Sequence, residues 1–397
     1  MPLNRRRFIV LGGLALGACS SAAVPRRRIA QGGGAIWRRE DERVKGAETW
    51  GRGDAETTER LAGQEIGPAG LYAPVRGDVR AVVISDMNSR YGATDYRAEV
   101  LTGIELLPGW QPDLVICAGD MIAAQKISLT SAEVAAMWES FDRQILTPIR
   151  AANLPFALTI GNHDASSLKR QGEYVFAVDR QAATQYWQAH LTALALPYVE
   201  ATGFPYYYSF KQNDIFYLIW DASAADVPAE QLAWAERSLS SPEAQSAKLR
   251  IAIGHLPFFA ISQGRDRAGE ILNHSEALRS LLETYRVHTY ISGHHHAYFP
   301  AHAGQLQLLH CGALGSGPRT WLNRVDTAMQ TLTVLDIFLE DASTVYTTYS
   351  MNTLQVVDAQ QLPRQIVGPT GRLLRRDVAS ADLSQAERNQ QYVPSAN

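Results

Sequence analysis

The sequence predicts an α/β domain, on three observations. Short β-branched apolar runs recur along the chain, helix-like segments separate them, and each run stops at a small group of Asp, Asn or His. Near-continuous apolar runs of this length fit strands buried on both faces, and their alternation with helices fits a largely parallel sheet.

The run at residues 79–85 ends at Asp86-Met87-Asn88, and the run at 113–118 ends at Gly119-Asp120. Residues 155–160 lead into Gly161-Asn162-His163-Asp164, residues 249–253 into Gly254-His255, and residues 287–292 into Gly293-His294-His295-His296. Helices are expected over residues 96–107, 130–151 and 274–285. After Gln330 the pattern alternates, at residues 331–338 and 344–349 around Glu340-Asp341, as in half-buried strands of a second sheet. The polar last forty or so residues read as a loosely packed tail. Residues 20–75, rich in Gly and Arg, read as a flexible linker. The expected layout is a signal at 1–19, a linker at 20–75, a domain at 76–350 and a tail at 351–397.

A hydrophobic share of 46% and a charged share of 19% allow a sizeable core and exclude a disordered chain. A net charge of −3 gives no general electrostatic grip on nucleic acid. The three cysteines are too few for a disulfide framework, and Cys117 and Cys311 sit in apolar runs as buried free thiols.

The N-terminus has Arg5, Arg6 and Arg7, then Phe8, an apolar stretch from Ile9 to Ala18, and Cys19. A charged start before a short apolar run is a secretory signal, too short for a span of about 20 residues. The arginines and Phe8 resemble a twin-arginine export signal, and Leu16-Gly17-Ala18-Cys19 resembles a bacterial lipobox. The expected location is the bacterial cell envelope, in the periplasm, with Cys19 as the lipid anchor to a membrane.

Open α/β sheets bind ligands beyond the carboxyl ends of their strands. Five strand ends here carry candidate ligands: Asp86 and Asn88, Asp120, Asn162 and His163, His255, then His294 and His296. Oxygen donors mixed with imidazole suit Mn, Fe, Zn or Ni rather than Ca or Mg alone. No cysteine joins the set, which argues against a structural zinc knot.

This ordered set resembles the calcineurin-like metallophosphoesterase superfamily, whose pattern is Asp-x-His, Gly-Asp, Gly-Asn-His-Asp/Glu, a lone His and Gly-His-x-His. The resemblance covers about residues 78–320 and includes Leu218-Ile219-Trp220-Asp221 and Gln231-Leu232-Ala233-Trp234. It implies a four-layer αββα sandwich with two central mixed β-sheets, holding two divalent metal ions. Asp120 would bridge them, Asp86 and His296 would bind the first, and Asn162, His255 and His294 the second. His163 would stand beside the leaving group, oriented by Asp164, with Asn162 also facing substrate and His295 turned away. A metal-bound hydroxide would attack phosphorus while the cations offset the growing charge.

One position departs from the pattern: Asn88 stands where the histidine of the first motif is expected. Its amide oxygen would bind metal more weakly than imidazole, or orient a water or the substrate, and Tyr91 is nearby in sequence to compensate. The purple acid phosphatase branch carries a tyrosine three residues after its Gly-Asp aspartate, where this chain has Ala123. Arg265 and Arg267, in a glycine-containing loop, are candidates to clamp a substrate phosphate. The expected function is hydrolysis of a small-molecule phosphate monoester or diester. The competing reading is a non-catalytic metal-binding envelope protein with a degenerate first site, and His163 with Asp164 favours the enzyme.

Overall fold

The computed structural model describes residue 63 and residues 65–395. The expected signal, Cys19 and most of the linker lie outside the described residues.

The chain enters with β1 (Val79–Ile84), a helix (Ala98–Trp110) and β2 (Leu114–Cys117). The predicted second helix runs from Ser131 to Ala151 with a π-helical segment at Asp142–Leu146, and β3 (Phe156–Leu158) follows. A small hairpin of β4 (Lys169–Arg170) and β5 (Glu173–Tyr174) precedes β6 (Tyr198–Gly203), β7 (Tyr207–Gln212) and β8 (Ile215–Ile219). Next come β9 (Leu249–Ile253), the helix Ser275–Thr284, β10 (Thr289–Ser292), β11 (Phe299–Ala303) and β12 (Leu306–His310). The chain closes with β13 (Thr331–Phe338), β14 (Ser343–Ser350), β15 (Gln355–Val356), β16 (Gln365–Gly368) and β17 (Gly371–Arg375).

Two mixed sheets form the centre. One has the order β15-β14-β13-β1-β2-β3, the other β16-β17-β11-β12-β10-β9-β8-β7-β6. Within them β1-β2-β3 and β8-β9-β10-β12 are parallel, and the flanking strands are antiparallel. The parallel strands are buried on both faces, as their apolar runs require. The sheets are tied directly: the Tyr208 hydroxyl on β7 donates to the Leu158 carbonyl on β3 at 2.6 Å. Helices pack outside, Ser275–Thr284 against β12 and Ala229–Leu239 against β8. This is the α/β architecture expected, with Cys117 and Cys311 buried and unpaired. Among the described residues no helix is long and apolar enough to cross a membrane.

Two expectations need correction. The segment after residue 350 is not loose: β17 pairs with β11 and extends the larger sheet, burying Ile366, Leu373 and Leu374. Its polar composition hides this, because a short edge hairpin covers the core with only one face. The end of the expected linker is likewise packed, with Leu71 and Ala73 buried and Glu65 bridged to Tyr72.

Candidate metal centre

β1, β2, β3, β9 and β10 all point their carboxyl ends to one place, because parallel pairing aligns their ends. The loops beyond them are laced together: Asp86 N donates to Gly119 O at 2.9 Å, and Met87 N to Asp120 O at 2.9 Å. Asp86, Asp120, His294 and His296 turn there with positive φ of 50°, 55°, 66° and 54°. Side chains far apart in sequence thereby meet.

Asp86, Asp120 and His296 can each offer a ligand atom such that all three lie within 4.8 Å of one another, and all are buried. His296 Nδ1 donates to the Gly317 carbonyl at 2.8 Å, which leaves its Nε2 to a proton or a cation. That Nε2 lies 3.1 Å from Asp86 Oδ1 but out of line for a hydrogen bond, and it has no other partner. Asp120 Oδ2 is also buried without a hydrogen-bond partner. Orphaned lone pairs facing each other in a buried place are costly unless a cation sits among them.

A second group lies beside the first. His255 Nδ1 donates to the Ala118 carbonyl at 2.7 Å, which leaves Nε2 facing Asn162 Oδ1 at 2.9 Å and Asp120 Oδ2 at 3.3 Å. His294 turns Nδ1 onto the same Asn162 Oδ1 at 2.8 Å. The Asn162 amide donates to Gln125 Oε1 at 2.8 Å, which fixes Oδ1 as the atom facing the imidazoles. Two imidazole nitrogens thus converge on one carbonyl oxygen, and only a proton or a cation between them relieves the repulsion. The donor chemistry fits divalent-ion binding.

The electrostatics agree. Burial works against its charge, yet His255 and His163 hold the Asp120 carboxyl well below the ordinary range. Burial likewise resists ionisation of Asp86, and His296 overrides it. Burial opposes a charge on His255, but the Asp120 carboxylate pushes it up to about 9. Burial pushes His294 down to about 4.

His163 stands over the cluster, its Nε2 4.0 Å from Asp120 Oδ2 and its ring 5.0 Å from that of Tyr91. Its backbone N–H donates to Asp120 Oδ1 at 2.8 Å. A cavity of about 620 Å³ opens here, lined among others by Tyr91, Gln125, Asn162, His163, Arg265, Glu270 and His294. A larger cavity of about 1450 Å³ is lined by Arg267, His274 and Arg372 and by none of the candidate ligands. Its size does not make it the reactive site, since no converging lone pairs face it.

Three sequence expectations change here. Asp164 does not orient His163: its carboxylate accepts the amides of Gly161, Asp120, Met121 and Ile122 at 2.7–3.0 Å, and His163 Nδ1 has no partner. A buried carboxylate so supplied with backbone donors has no lone pair left to turn outward. Arg267 is exposed and donates to the Gly264 carbonyl, away from the centre, because the buried Asp266 between it and Arg265 fixes the loop. Tyr91 packs against His163 with the rings tilted by 32° and is not part of the Asp86–Asp120–His296 group. Asn88 is buried and joined to Asp120 O through its backbone N–H at 3.2 Å, and its side chain makes no hydrogen bond among the described residues.

Glu270 was not foreseen. Its Oε2 lies 2.9 Å from His294 Nε2 and 2.5 Å from Arg265 Nη1. His295 turns away from the centre and anchors this loop, accepting from Ile261 N at 3.1 Å and donating to Glu270 O at 3.0 Å. The buried His310 and half-buried His302 meet the carbonyls of Phe299 and Val378 and are not ligands.

Comparison with known proteins fits this geometry. A purple acid phosphatase of Arabidopsis thaliana, named Probable purple acid phosphatase 20, is 23% identical over 197 residues, 49% of this chain and 42% of that protein. The purple acid phosphatase PPD1 of yellow lupin (Lupinus luteus) seeds superposes with a TM-score of 0.52 at 18% identity, over 72% of this chain and 54% of that one. A dimetal phosphatase of Danio rerio gives 0.49 at 12% identity, over 69% and 96%. The chain spans about half the length of the two purple acid phosphatases, and at such identities the likeness is one of fold. The buried Ala123 remains in place of that branch's tyrosine. The model of the calcineurin-like phosphoesterase family matches residues 79–298, more than half of the chain. With five strand ends converging in that family's order, the chain belongs to the calcineurin-like phosphoesterases.

Proposed function

We propose that this protein hydrolyses small-molecule phosphate esters with two divalent cations held at the strand ends. The observation that carries the reading is the convergence of His255 Nε2 and His294 Nδ1 on Asn162 Oδ1, beside the unpartnered Asp120 Oδ2 and His296 Nε2. Asp86, Asp120 and His296 would hold one ion, and Asp120, Asn162, His255 and His294 the other, with the Asn88 amide free to add a weaker oxygen donor. When bound, such cations supply Lewis acidity toward phosphoryl oxygens and acidify water.

The protein's own groups do the rest. The cavity walls orient the ester, and Arg265 at the rim supplies a cationic N–H for a phosphoryl oxygen. The P–O bond to the alcohol breaks as a water oxygen joins phosphorus and releases a proton to solvent, and the imidazolium of His163, whose pKa burial lowers, gives its proton to the departing oxygen. The Tyr91 ring packs beside the imidazole, while the His163 backbone ties it to Asp120. Export to the cell envelope through the N-terminal signal, with a lipid on Cys19, belongs to the same proposal and would be read from fractionation of a Cys19→Ala chain.

The test is a panel of monoesters and bis-esters with Mn, Zn, Fe or Ni, on wild type and His163→Ala. His163→Ala should keep its metal and lose ~10²–10⁴-fold in kcat/KM on esters of poorly acidic alcohols, far less on those of acidic phenols. Equal losses on both classes would remove His163 from the acid role. No turnover by metal-loaded wild type would favour the non-catalytic binder.

A further inference from the structure

Glu270 lies in the loop between β9 and the helix Ser275–Thr284, outside each of the five strand-end motifs. We propose that Glu270 is a positioning residue of the metal centre. Its carboxylate holds His294 by Nε2, so that Nδ1 faces the cation, and anchors Arg265 at the cavity wall. The inference rests on the two-cation reading above.

Three observations support it. First, His294 has two nitrogens and both are engaged: Nε2 faces Glu270 Oε2 at 2.9 Å and Nδ1 faces Asn162 Oδ1 at 2.8 Å. An ionised carboxylate only accepts, so it selects the tautomer with the proton on Nε2 and the lone pair on Nδ1. A carboxylate behind a ligating histidine fixes the ring and raises its basicity toward metal. Second, His255 and His296 have their outer nitrogens fixed by the Ala118 and Gly317 carbonyls, and Glu270 fills the matching place for His294. Third, the carboxylate is itself held. Arg265 Nη1 lies 2.5 Å from it, and His295 bonds both Ile261 N and Glu270 O. Asp266, four residues before Glu270, accepts from the Tyr392 hydroxyl at 2.8 Å and Ser395 N at 2.7 Å. The loop is thus fastened from two sides, which a surface loop without a task would not need.

The same pair accounts for Arg265. Its Nη1 also lies 3.3 Å from His294 Nε2, and the Glu270 carboxylate, in contact with both, offsets the guanidinium charge beside the imidazole. Glu270 thus engages one edge of the guanidinium and leaves the rest for the ester.

Metal binding tests the proposal apart from turnover. Metal-free wild type, Glu270→Ala and Glu270→Gln would be titrated calorimetrically with Mn²⁺ or Zn²⁺, with thermal melting of each as the folding control. Wild type should bind two equivalents. Glu270→Ala should weaken one of them ~10–100-fold and leave the other, with an unchanged metal-free melting temperature. Glu270→Gln should restore most of that affinity, because an amide oxygen still accepts the Nε2 proton. Two wild-type affinities in Glu270→Ala would overturn the proposal, as would a Gln variant no better than Ala or equal weakening of both equivalents. A wild-type protein that binds no divalent cation would instead overturn the two-cation reading on which it rests.

Discussion

Gly161 is among the tightest points of the centre, and Gly161→Ala tests it. Gly161 has φ −91° and ψ 174°, a conformation alanine adopts freely, so only space is at issue. A Cβ there would lie 2.1 Å from Asp120 Oδ1 and 2.3 Å from Asp120 N. Ordinary contacts between such atoms are about 3.5 Å, so one side must retreat by ~1 Å. Neither yields easily: Asp120 Oδ1 is held by His163 N at 2.8 Å, and Asp120 N by Asp164 Oδ2 at 2.9 Å.

The magnitudes separate folding from function. Overpacking of this kind costs ~1–3 kcal/mol, which a domain of this size survives. A ~1 Å displacement of a shared ligand costs ~10²-fold in rate. The variant should fold, lose a few degrees in melting temperature, bind metal more weakly, and lose ~10²-fold or more in kcat/KM on a chromogenic monoester. Gly70→Ala is the control: its Cβ meets nothing, its φ is +91°, and it should cost ~1 kcal/mol with no change in activity. Gly161→Ala with full metal content and activity within about twofold of wild type would refute the idea that the strand ends must approach this closely.

Two further outcomes follow from the same geometry. Asp336→Ala leaves Arg80 buried without its bidentate partner, whose Oδ1 and Oδ2 lie 2.9 and 3.0 Å from Arg80 Nε and Nη2, and should cost ~3–5 kcal/mol in urea unfolding. His255 carries a proton up to about pH 9 in the metal-free protein, so cation binding must displace it. Apparent metal affinity should therefore rise with pH, by up to ~10-fold per unit, and level off above about 9, and a flat calorimetric profile between pH 6 and 9 would contradict it.

The centre was legible in the sequence because each buried strand announces itself by an apolar run, and the first polar residues beyond it lie at the strand end. Parallel pairing then aligns ends without long-range information. Glu270 gave no such signal. It lies in an irregular loop, and its carboxylate meets His294 only because β9 and β10 are neighbours. Arg265 and Arg267 look equivalent two residues apart, yet they diverge because Asp266 is pinned by Tyr392 and Ser395, some 130 residues later. The β16–β17 hairpin was missed for a related reason: its Ile366 and Leu373 gain burial only against β11 and its surroundings, so local composition read as tail.

Asp164 shows why the motif needs its last residue on folding grounds alone. Asp86, Asp120, His294 and His296 occupy left-handed backbone, at ~1–2 kcal/mol each for residues with a Cβ. Such turns persist only if surrounding bonds over-determine them. Asp164 gathers four amides from the two adjoining strand ends, those of Gly161, Asp120, Met121 and Ile122, and Asp86 accepts the amide of His294 at 3.1 Å. Each buried N–H left without an acceptor costs ~1–3 kcal/mol, so the four at Asp164 offset the strain of the ligand turns beside them. A carboxylate next to a histidine in sequence suggests an acid–orienter pair. Here it is the acceptor that holds two strand ends in register, and His163 gets its orientation from its own backbone bond to Asp120 and from the ring of Tyr91.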